Sequence, residues 1–472
     1  MRDDDQTRRA EEAGDETIVA IATPRGRGGI GIVRLSGVRA RAIAEPLLRL
    51  KRPLEAGRAR FAEILDLVAE DGSARALDEG VVTFFAAPRS YTGEDVVEIA
   101  AHGSPVVLEY LLRQCCASGA RLAEPGEFTE RAFLAGRLDL TQAEAVEDLI
   151  ASSTLEQART AARQLGGGLA RIVGPVKREL VELIAGLEAG IDFAEDDIDL
   201  MPGAAIEAKI RGIAEPLQEL EETFRYGRIL REGFRLAIVG RPNAGKSSLF
   251  NRLVGRDRAI VTAEPGTTRD PIEAQVEMAG IPVELVDTAG LRTGENEAER
   301  MGIARSREAM AEADVVLLVL AADEAAGEEE LAVLGVGAQA SHVIVVLNKV
   351  DLCPAESVAV QSLSAEQARE AVRTCAVTGV GAEELRAAIL GRLEVMPGGG
   401  DSAMLTNLRQ HEAVAKALGA LAAARGAVRA GTPHEMVLLD LYEGLQGLDL
   451  LTGTTTNEDV LREIFSTFCI GK

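Results

Sequence analysis

The chain has 472 residues, which at about 150 residues per domain points to about three domains. Hydrophobic residues make up 47% and charged residues 27%, too apolar for a disordered chain and too charged for a membrane protein. The formal net charge of −24 repels nucleic acid unless basic residues cluster locally, and with 3% aromatics and no Trp base-stacking platforms are scarce, against an autonomous single-strand binder.

In chain order, residues 1–16 form a charged leader without the apolar stretch of a secretory signal, and a disordered tail is expected there. Residues 17–124 alternate short β-rich runs (17–22, 30–35, 80–85, 95–100) with helical stretches such as 105–116, which reads as an α+β domain. Within it, 25–60 carries Arg25, Arg27, Arg34, Arg39, Arg41, Arg49, Lys51, Arg52, Arg58 and Arg60 against Glu45 and Glu55 only. This is either a solvated basic face or a surface for an anionic ligand. Residues 125–232 turn to long Ala/Leu/Glu-rich segments with helical spacing. Strands and helices alternate again over 233–395, and Met396-Pro-Gly-Gly-Gly400 reads as a linker. The remainder, 396–472, is helical with breaks at Gly431-Thr-Pro433 and Gly453. The pattern predicts an α/β unit inserted into an all-α domain made of two sequence-distant halves; two separate helical bundles would give the same pattern.

No apolar run approaches the roughly 20 residues that span a bilayer. Cys115, Cys116, Cys353, Cys375 and Cys469 form no C-x-x-C and no even disulfide framework, and four scattered His argue against a His-based metal centre. A reduced, cytoplasmic protein is expected, with no membrane partner.

The sharpest signal is Gly240-Arg-Pro-Asn243-Ala244-Gly245-Lys246-Ser247-Ser248, a G-x-x-x-x-G-K-S loop between an apolar strand and a helix. Its glycines let backbone N–H groups approach phosphate oxygens, Lys246 reaches the β/γ-phosphates, and Ser247 holds Mg²⁺. In order there follow Gly266-Thr267-Thr268-Arg-Asp270, Asp287-Thr-Ala-Gly290 and Asn348-Lys349-Val-Asp351. Thr268 can place a hydroxyl on Mg²⁺ and sense the γ-phosphate. Asp287 can hold Mg²⁺ through water, and the Gly290 N–H can meet the γ-phosphate. Asn348 and Asp351 read the base, because a carboxylate accepting from guanine N1–H and its 2-amino group discriminates against adenine. Together these motifs resemble a Ras-like P-loop G domain. Its last base-contacting element is usually Ser-Ala-Lys, and Cys375-Ala376-Val377 stands in that place. Backbone donation from Ala376 survives the change. The water-orienting Gln of Ras-type enzymes is replaced by Leu291, which leaves the downstream glutamates Glu295, Glu297 and Glu299 as alternatives.

The phosphate loop, Asp287-Thr-Ala-Gly-Leu-Arg, Thr23-Pro-Arg-Gly-Arg-Gly-Gly, Tyr91-Thr-Gly-Glu-Asp95, Glu124-Pro-Gly-Glu-Phe128, Arg137-Leu-Asp-Leu-Thr-Gln-Ala-Glu144 and the final Phe468-Cys469-Ile-Gly-Lys472 resemble the bacterial tRNA-modification GTPase family MnmE (TrmE) over nearly the whole chain. The resemblance implies an N-terminal domain that binds a tetrahydrofolate and dimerises (17–124), a helical domain in two halves (125–232 and 396–472) and an inserted G domain (233–395). It implies a homodimer that joins the FAD-dependent partner MnmG in a heterotetrameric complex and acts on tRNA. There the complex modifies C5 of the wobble uridine U34 to (carboxymethyl)aminomethyluridine, with 5-formyltetrahydrofolate or 5,10-methylenetetrahydrofolate as the one-carbon cofactor.

Carried over residue by residue, the family's catalytic glutamate falls on Glu299. Its potassium-binding residues fall on Asn243, Thr262, Glu264 and Thr267, where K⁺ would neutralise charge developing beside the phosphates. The GTP-binding set becomes residues 243–248, Thr262, Thr267, Thr268, Asp287, Gly290, Asn348, Lys349, Asp351, Cys375 and Ala376. The folate contacts fall on Arg34, Glu98, Arg137 and Lys472, with Arg137 where the family more often has Lys. Cys469 matches the family's C-terminal cysteine, a thiol with either a chemical or a structural role. The rival expectation is a ribosome-assembly GTPase without one-carbon chemistry. Such proteins carry a KH-like domain or a second G domain, neither of which the sequence shows.

Overall fold

A computed structural model describes residues 16–67, 75–192, 201–256, 273–287, 313–327, 330–331, 333–334, 343–353, 358–392, 403–454 and 458–471. The leader and the glycine linker at 396–400 lie outside the described residues. The chain divides into two compact units: Met1–Glu147 with Leu165–Ala170 and Leu445–Lys472, and Asp148–Gln164 with Arg171–Gly444.

The first unit is built on seven strands, β1 (Ile18–Ile21), β2 (Gly28–Ser36), β3 (Leu48–Leu50), β4 (Ala59–Asp66), β5 (Arg75–Phe85), β6 (Val96–Gly103) and β7 (Arg121–Leu122), in the order β3-β4-β5-β6-β2-β1-β7. All neighbours are antiparallel except β1 and β7. Period-two alternation assigns the faces. Val33, Leu35, Val82, Val97 and Ile99 are buried and pack with Leu108, Leu111 and Cys115 of the helix Pro105–Ala117. Those helix positions fall three and four residues apart, one stripe of a 3.6-residue turn. Pro105 opens the helix, where a missing N–H goes unneeded.

The short strand β3 and strand β4 are not legible in the sequence: β3 has only three residues, and in β4 the exposed Phe61 and the inward Arg60 invert the expected polarity. The arginines are absorbed by ion pairs on the strands and the adjoining turn: Arg49–Glu63 at 2.5 Å and Arg60–Glu55 at 2.8 Å. A second core in this unit joins the helices Glu127–Leu134, Leu140–Ala151 and Glu458–Ser466 through Leu140, Ala143, Leu461, Phe465 and Phe468. Phe465 and Phe468 meet at 5.3 Å between ring centroids. The break expected at Gly453 separates the last two helices of the chain.

In the second unit, β8 (Phe234–Val239), β9 (Glu273–Met278), β10 (Ile281–Asp287), β11 (Val315–Ala321), β12 (Val343–Asn348) and β13 (Val372–Arg373) form a sheet in the order β13-β12-β11-β8-β10-β9. Every pair is parallel except β10 with β9. All seven residues of β11 are buried, the continuous apolar run of a strand covered on both faces. The same unit contains the helices Gly203–Glu222 and Leu408–Arg429, which pack together. Ile206, Ile210, Ile213, Leu217 and Leu220 supply one stripe. Ala413, Ala417, Ala420 and Ala424 supply a small-residue face opposite. Gln164 Nε2 donates to the Met404 carbonyl at 2.9 Å, a buried hydrogen bond across 240 residues of chain. The α/β sheet is therefore an insertion into one helical assembly, and the two-bundle alternative is set aside for these helices.

Candidate functional site

In a parallel sheet, ligands gather beyond the carboxyl ends of the strands, and those nucleotide-motif residues that are described lie there. The phosphate loop leaves the end of β8, and Asp287 closes β10 in register with Ile238 of β8. Asn348 closes β12, and Cys375 stands two residues after the end of β13. Motifs up to 135 residues apart by number thus converge on one rim.

The loop's glycines are imposed by crowding as well as conformation. Gly240 has φ +143 and a Cβ there would sit 2.2 Å from the Val319 carbonyl oxygen; Gly245 has φ +94 and a Cβ would meet Asn348 Nδ2 at 2.2 Å. Asn243 also has positive φ, at 67°, a conformation that asparagine tolerates better than most residues. Its backbone thus satisfies the loop-shaping role, and its side chain is exposed. Lys246 is 7% exposed, and its Nζ donates to the Gly240 and Arg241 carbonyls at 2.7 and 2.8 Å. The ammonium is held inside the concave loop. Ser247 and Ser248 open the following helix on its exposed side.

On the base side, Asn348 is 1% exposed. Its Nδ2 donates to the Ala244 carbonyl at 2.9 Å, while its Oδ1 accepts from the Ala376 N–H at 3.1 Å and Thr374 Oγ1 at 3.3 Å. The side chain expected to read the base thus ties the phosphate loop to the 374–376 loop. Asp351 is exposed beyond it and is the group left open to a base. Lys349 takes positive φ, 63°, to make the turn between them. Cys375 is 2% exposed, with its N–H donating to the Val380 carbonyl at 2.9 Å, so its thiol replaces the usual serine as a packed group. Thr262, Glu264, Thr267, Thr268, Gly290 and Glu299 lie outside the described residues, as does Lys472.

The first unit brings together two of the other expected positions. Arg34 of β2 faces Glu98 of β6 in register, with Arg34 Nε and Nη2 each 2.8 Å from Glu98 Oε1. Arg34 Nη1 donates to the Gly471 carbonyl at 3.2 Å, and Ile470 bridges to Pro125. The segment carrying Cys469, which is exposed, is therefore docked beside Arg34. Arg137 has a different anchor, its Nη1 donating to the Pro88 carbonyl at 2.9 Å.

Two aromatic residues at this place were read only as motif members. Phe128 lies under the Arg34 guanidinium at 5.6 Å. Tyr91 bonds Thr129 Oγ1 at 2.9 Å; burial pushes its phenol up, against the Thr129 hydrogen bond and the charge of Arg34. Behind them, Arg131 (5% exposed) holds Glu94 at 3.1 Å and Glu127 at 2.9 Å. Burial drives the Glu127 carboxyl up, but hydrogen bonds from Arg121, the Glu124 N–H and Arg131 outweigh it and hold the group below its usual range.

The basic run resolves into a paired face. Arg34, Arg41, Arg49, Arg58 and Arg60 meet carboxylates, and Arg39 donates to the Ser118 carbonyl. No helix among the described residues is long and apolar enough to cross a membrane.

Known proteins align with the chain along its length. The model for the GTP-binding protein TrmE N-terminus matches residues 17–137, and that for the MnmE helical domain matches residues 140–469. The tRNA modification GTPase MnmE of Koribacter versatilis is 54% identical over 461 residues, covering 97% of this chain and 99% of that protein. Those of Methylococcus capsulatus and Aquifex aeolicus are 44% and 42% identical, each over 97% of this chain and 99% and 100% of theirs. Among solved structures, the G domain of the T. maritima FeoB iron transporter is 28% identical over 34% of this chain and 98% of that one, with a TM-score of 0.25. With relatives this similar over their full length, the chain belongs to the MnmE (TrmE) family of tRNA-modification GTPases.

Proposed function

We propose that the protein is the GTP-hydrolysing component of the machinery that modifies C5 of U34 in certain tRNAs. The observation that carries the GTPase reading is the convergence of the phosphate loop, Asp287, Asn348 and Cys375–Ala376 on one sheet rim. Lys246 is held where it can exchange two loop carbonyls for β/γ-phosphate oxygens, which carry more negative charge. Ser247 and Thr268 would hold Mg²⁺. Asn243, Thr262, Glu264 and Thr267 would hold K⁺, which supplies positive charge beside the phosphates. Glu299 orients the attacking water as a general base. Asp351 accepts from guanine N1–H and the 2-amino group.

The one-carbon site is read onto Arg34, Glu98, Arg137 and Lys472. A bound tetrahydrofolate would supply the carbon that bridges to uridine C5. In support, a carboxylate and a guanidinium stand beside two aromatic side chains and the docked 469–471 segment, a donor set suited to a flat, polar ring with an acidic tail. The cations receive the tail carboxylates and Glu98 accepts from ring N–H groups. The functional division is then 17–124 for folate and dimerisation, 233–395 for GTP, and 125–232 with 396–472 for the helical frame. The setting is a cytoplasmic homodimer complexed with MnmG.

Two measurements test this. Lys246→Ala should abolish GTP binding, and unchanged affinity would overturn the phosphate-loop assignment. Nucleoside mass spectrometry of tRNA from a strain lacking the chain should show U34 without its C5 group; full modification would remove the tRNA function.

A further inference from the structure

The loop that follows β13 carries the Ala376 N–H expected to meet the base, yet its fourth residue, Val377, is 78% exposed and its side chain has no donor of its own to fasten the loop. The fastening comes from the phosphate side. Arg252 lies on the helix Lys246–Arg256, six residues after Lys246, and is half-buried. Its Nε donates to the Ala376 carbonyl at 2.9 Å and its Nη2 to the Val377 carbonyl. The guanidinium also lies against Gly379, where a Cβ would come within 3.5 Å of Cζ. The Ala376 residue is thus gripped at both ends: its N–H by Asn348 Oδ1 and its C=O by Arg252. Asn348 in turn holds the Ala244 carbonyl of the phosphate loop.

We propose that Arg252 is a positioning residue for guanine recognition, locking the 374–379 loop to the helix that begins in the phosphate loop. The inference rests on the guanine-nucleotide reading above. A planar fork can serve two successive carbonyls at once, which an ammonium cannot do with the same geometry. Charge-assisted bonds of this kind are stronger than neutral ones. Held in this way, the loop is fixed before any nucleotide arrives, so less ordering is required on binding, and the Ala376 N–H has only to exchange Asn348 Oδ1 for an acceptor on the base. A backbone N–H pairs with an acceptor, and guanine presents a carbonyl oxygen at the edge where adenine presents an amino group. Loss of Arg252 therefore falls on the base side of recognition and spares the phosphate side.

The test uses the full chain, with GDP, ADP and Mg²⁺-tripolyphosphate as probes, for the wild type, Arg252→Met and Arg252→Lys. Arg252→Met should bind GDP about tenfold more weakly, in line with loss of one or two charge-assisted hydrogen bonds, with faster GDP dissociation. Its tripolyphosphate affinity should stay at the wild-type value, and Arg252→Lys should recover part of the GDP affinity. Wild-type GDP affinity in either variant overturns the proposal. So does an equal loss for GDP and tripolyphosphate, which marks a general disturbance of the helix. A wild type that does not prefer GDP to ADP refutes the guanine reading itself, a result separate from the other two.

Discussion

Gly471→Ala isolates the docking of the last described residues. Gly471 has φ +97, and a Cβ there would lie 2.7 Å from the Ile21 carbonyl oxygen and 3.0 Å from Ala22 Cα. Both are backbone atoms, so neither can swing away. A left-handed conformation costs an L residue about 1–2 kcal/mol before any contact is counted, and the two short contacts bring the total to roughly 2 kcal/mol or more. At 1.4 kcal/mol per factor of ten, the ratio of docked to undocked tail should fall about 30-fold. Hydrogen exchange read by mass spectrometry should show faster exchange of the 469–471 amides in the variant, with β2 and β6 unchanged. If the composite one-carbon site is right, the dissociation constant for 5-formyltetrahydrofolate should rise, by up to that factor, while GTP hydrolysis stays near wild type. Unchanged exchange would refute the steric argument. Faster exchange with undiminished folate affinity would discard the composite site and leave Arg34–Gly471 as a structural contact.

Glu299→Ala should slow GTP hydrolysis by about 10²–10⁴-fold with near-normal nucleotide affinity, whereas Glu295→Ala and Glu297→Ala should be mild; equal losses in steady-state assays of all three would point to diffuse electrostatics. Hydrolysis should run faster in K⁺ than in Na⁺ at equal ionic strength, and Asn243→Ala should erase the difference. Equal wild-type rates in both salts would leave Asn243 as a loop-shaping residue. Glu127→Gln should destabilise the first unit by roughly 1.5–3 kcal/mol at pH 7, since buried Arg131 keeps Glu94 but loses its second charged partner. Because the folded Glu127 carboxyl titrates below its ordinary value, its contribution is complete above about pH 4.3 and is lost as pH falls through the lower folded value. The gap in denaturation midpoint between variant and wild type should therefore close in acid, and a gap that persists there would mean packing, not charge, is at stake.

The nucleotide half was legible in the sequence because its chemistry is local. A phosphate loop needs its glycines, lysine and serine within nine consecutive residues, and the strand before it and the helix after it carry distinct apolar periods. The order of the later motifs followed from the same logic, as did the insertion pattern and the breaks at Gly431-Thr-Pro433 and Gly453. Strand β3 escaped because three residues are too few to show a period, and β4 because its polarity runs against its exposure: Phe61 is exposed while Arg60 is mostly buried and paired with Glu55.

Tertiary structure alone decided the pairings that span the chain. Arg252 was an ordinary helix cation until the fold set it against carbonyls 124 and 125 residues away. Arg34, which the family resemblance marks as a folate contact, gains a hydrogen-bond acceptor in the Gly471 carbonyl, 437 residues on. Asn348 read as a base contact became a tie between two loops. Hydrogen bonds between backbone carbonyls and distant side chains leave no spacing in the sequence, because any residue supplies the carbonyl and only the closed fold selects which one faces the donor.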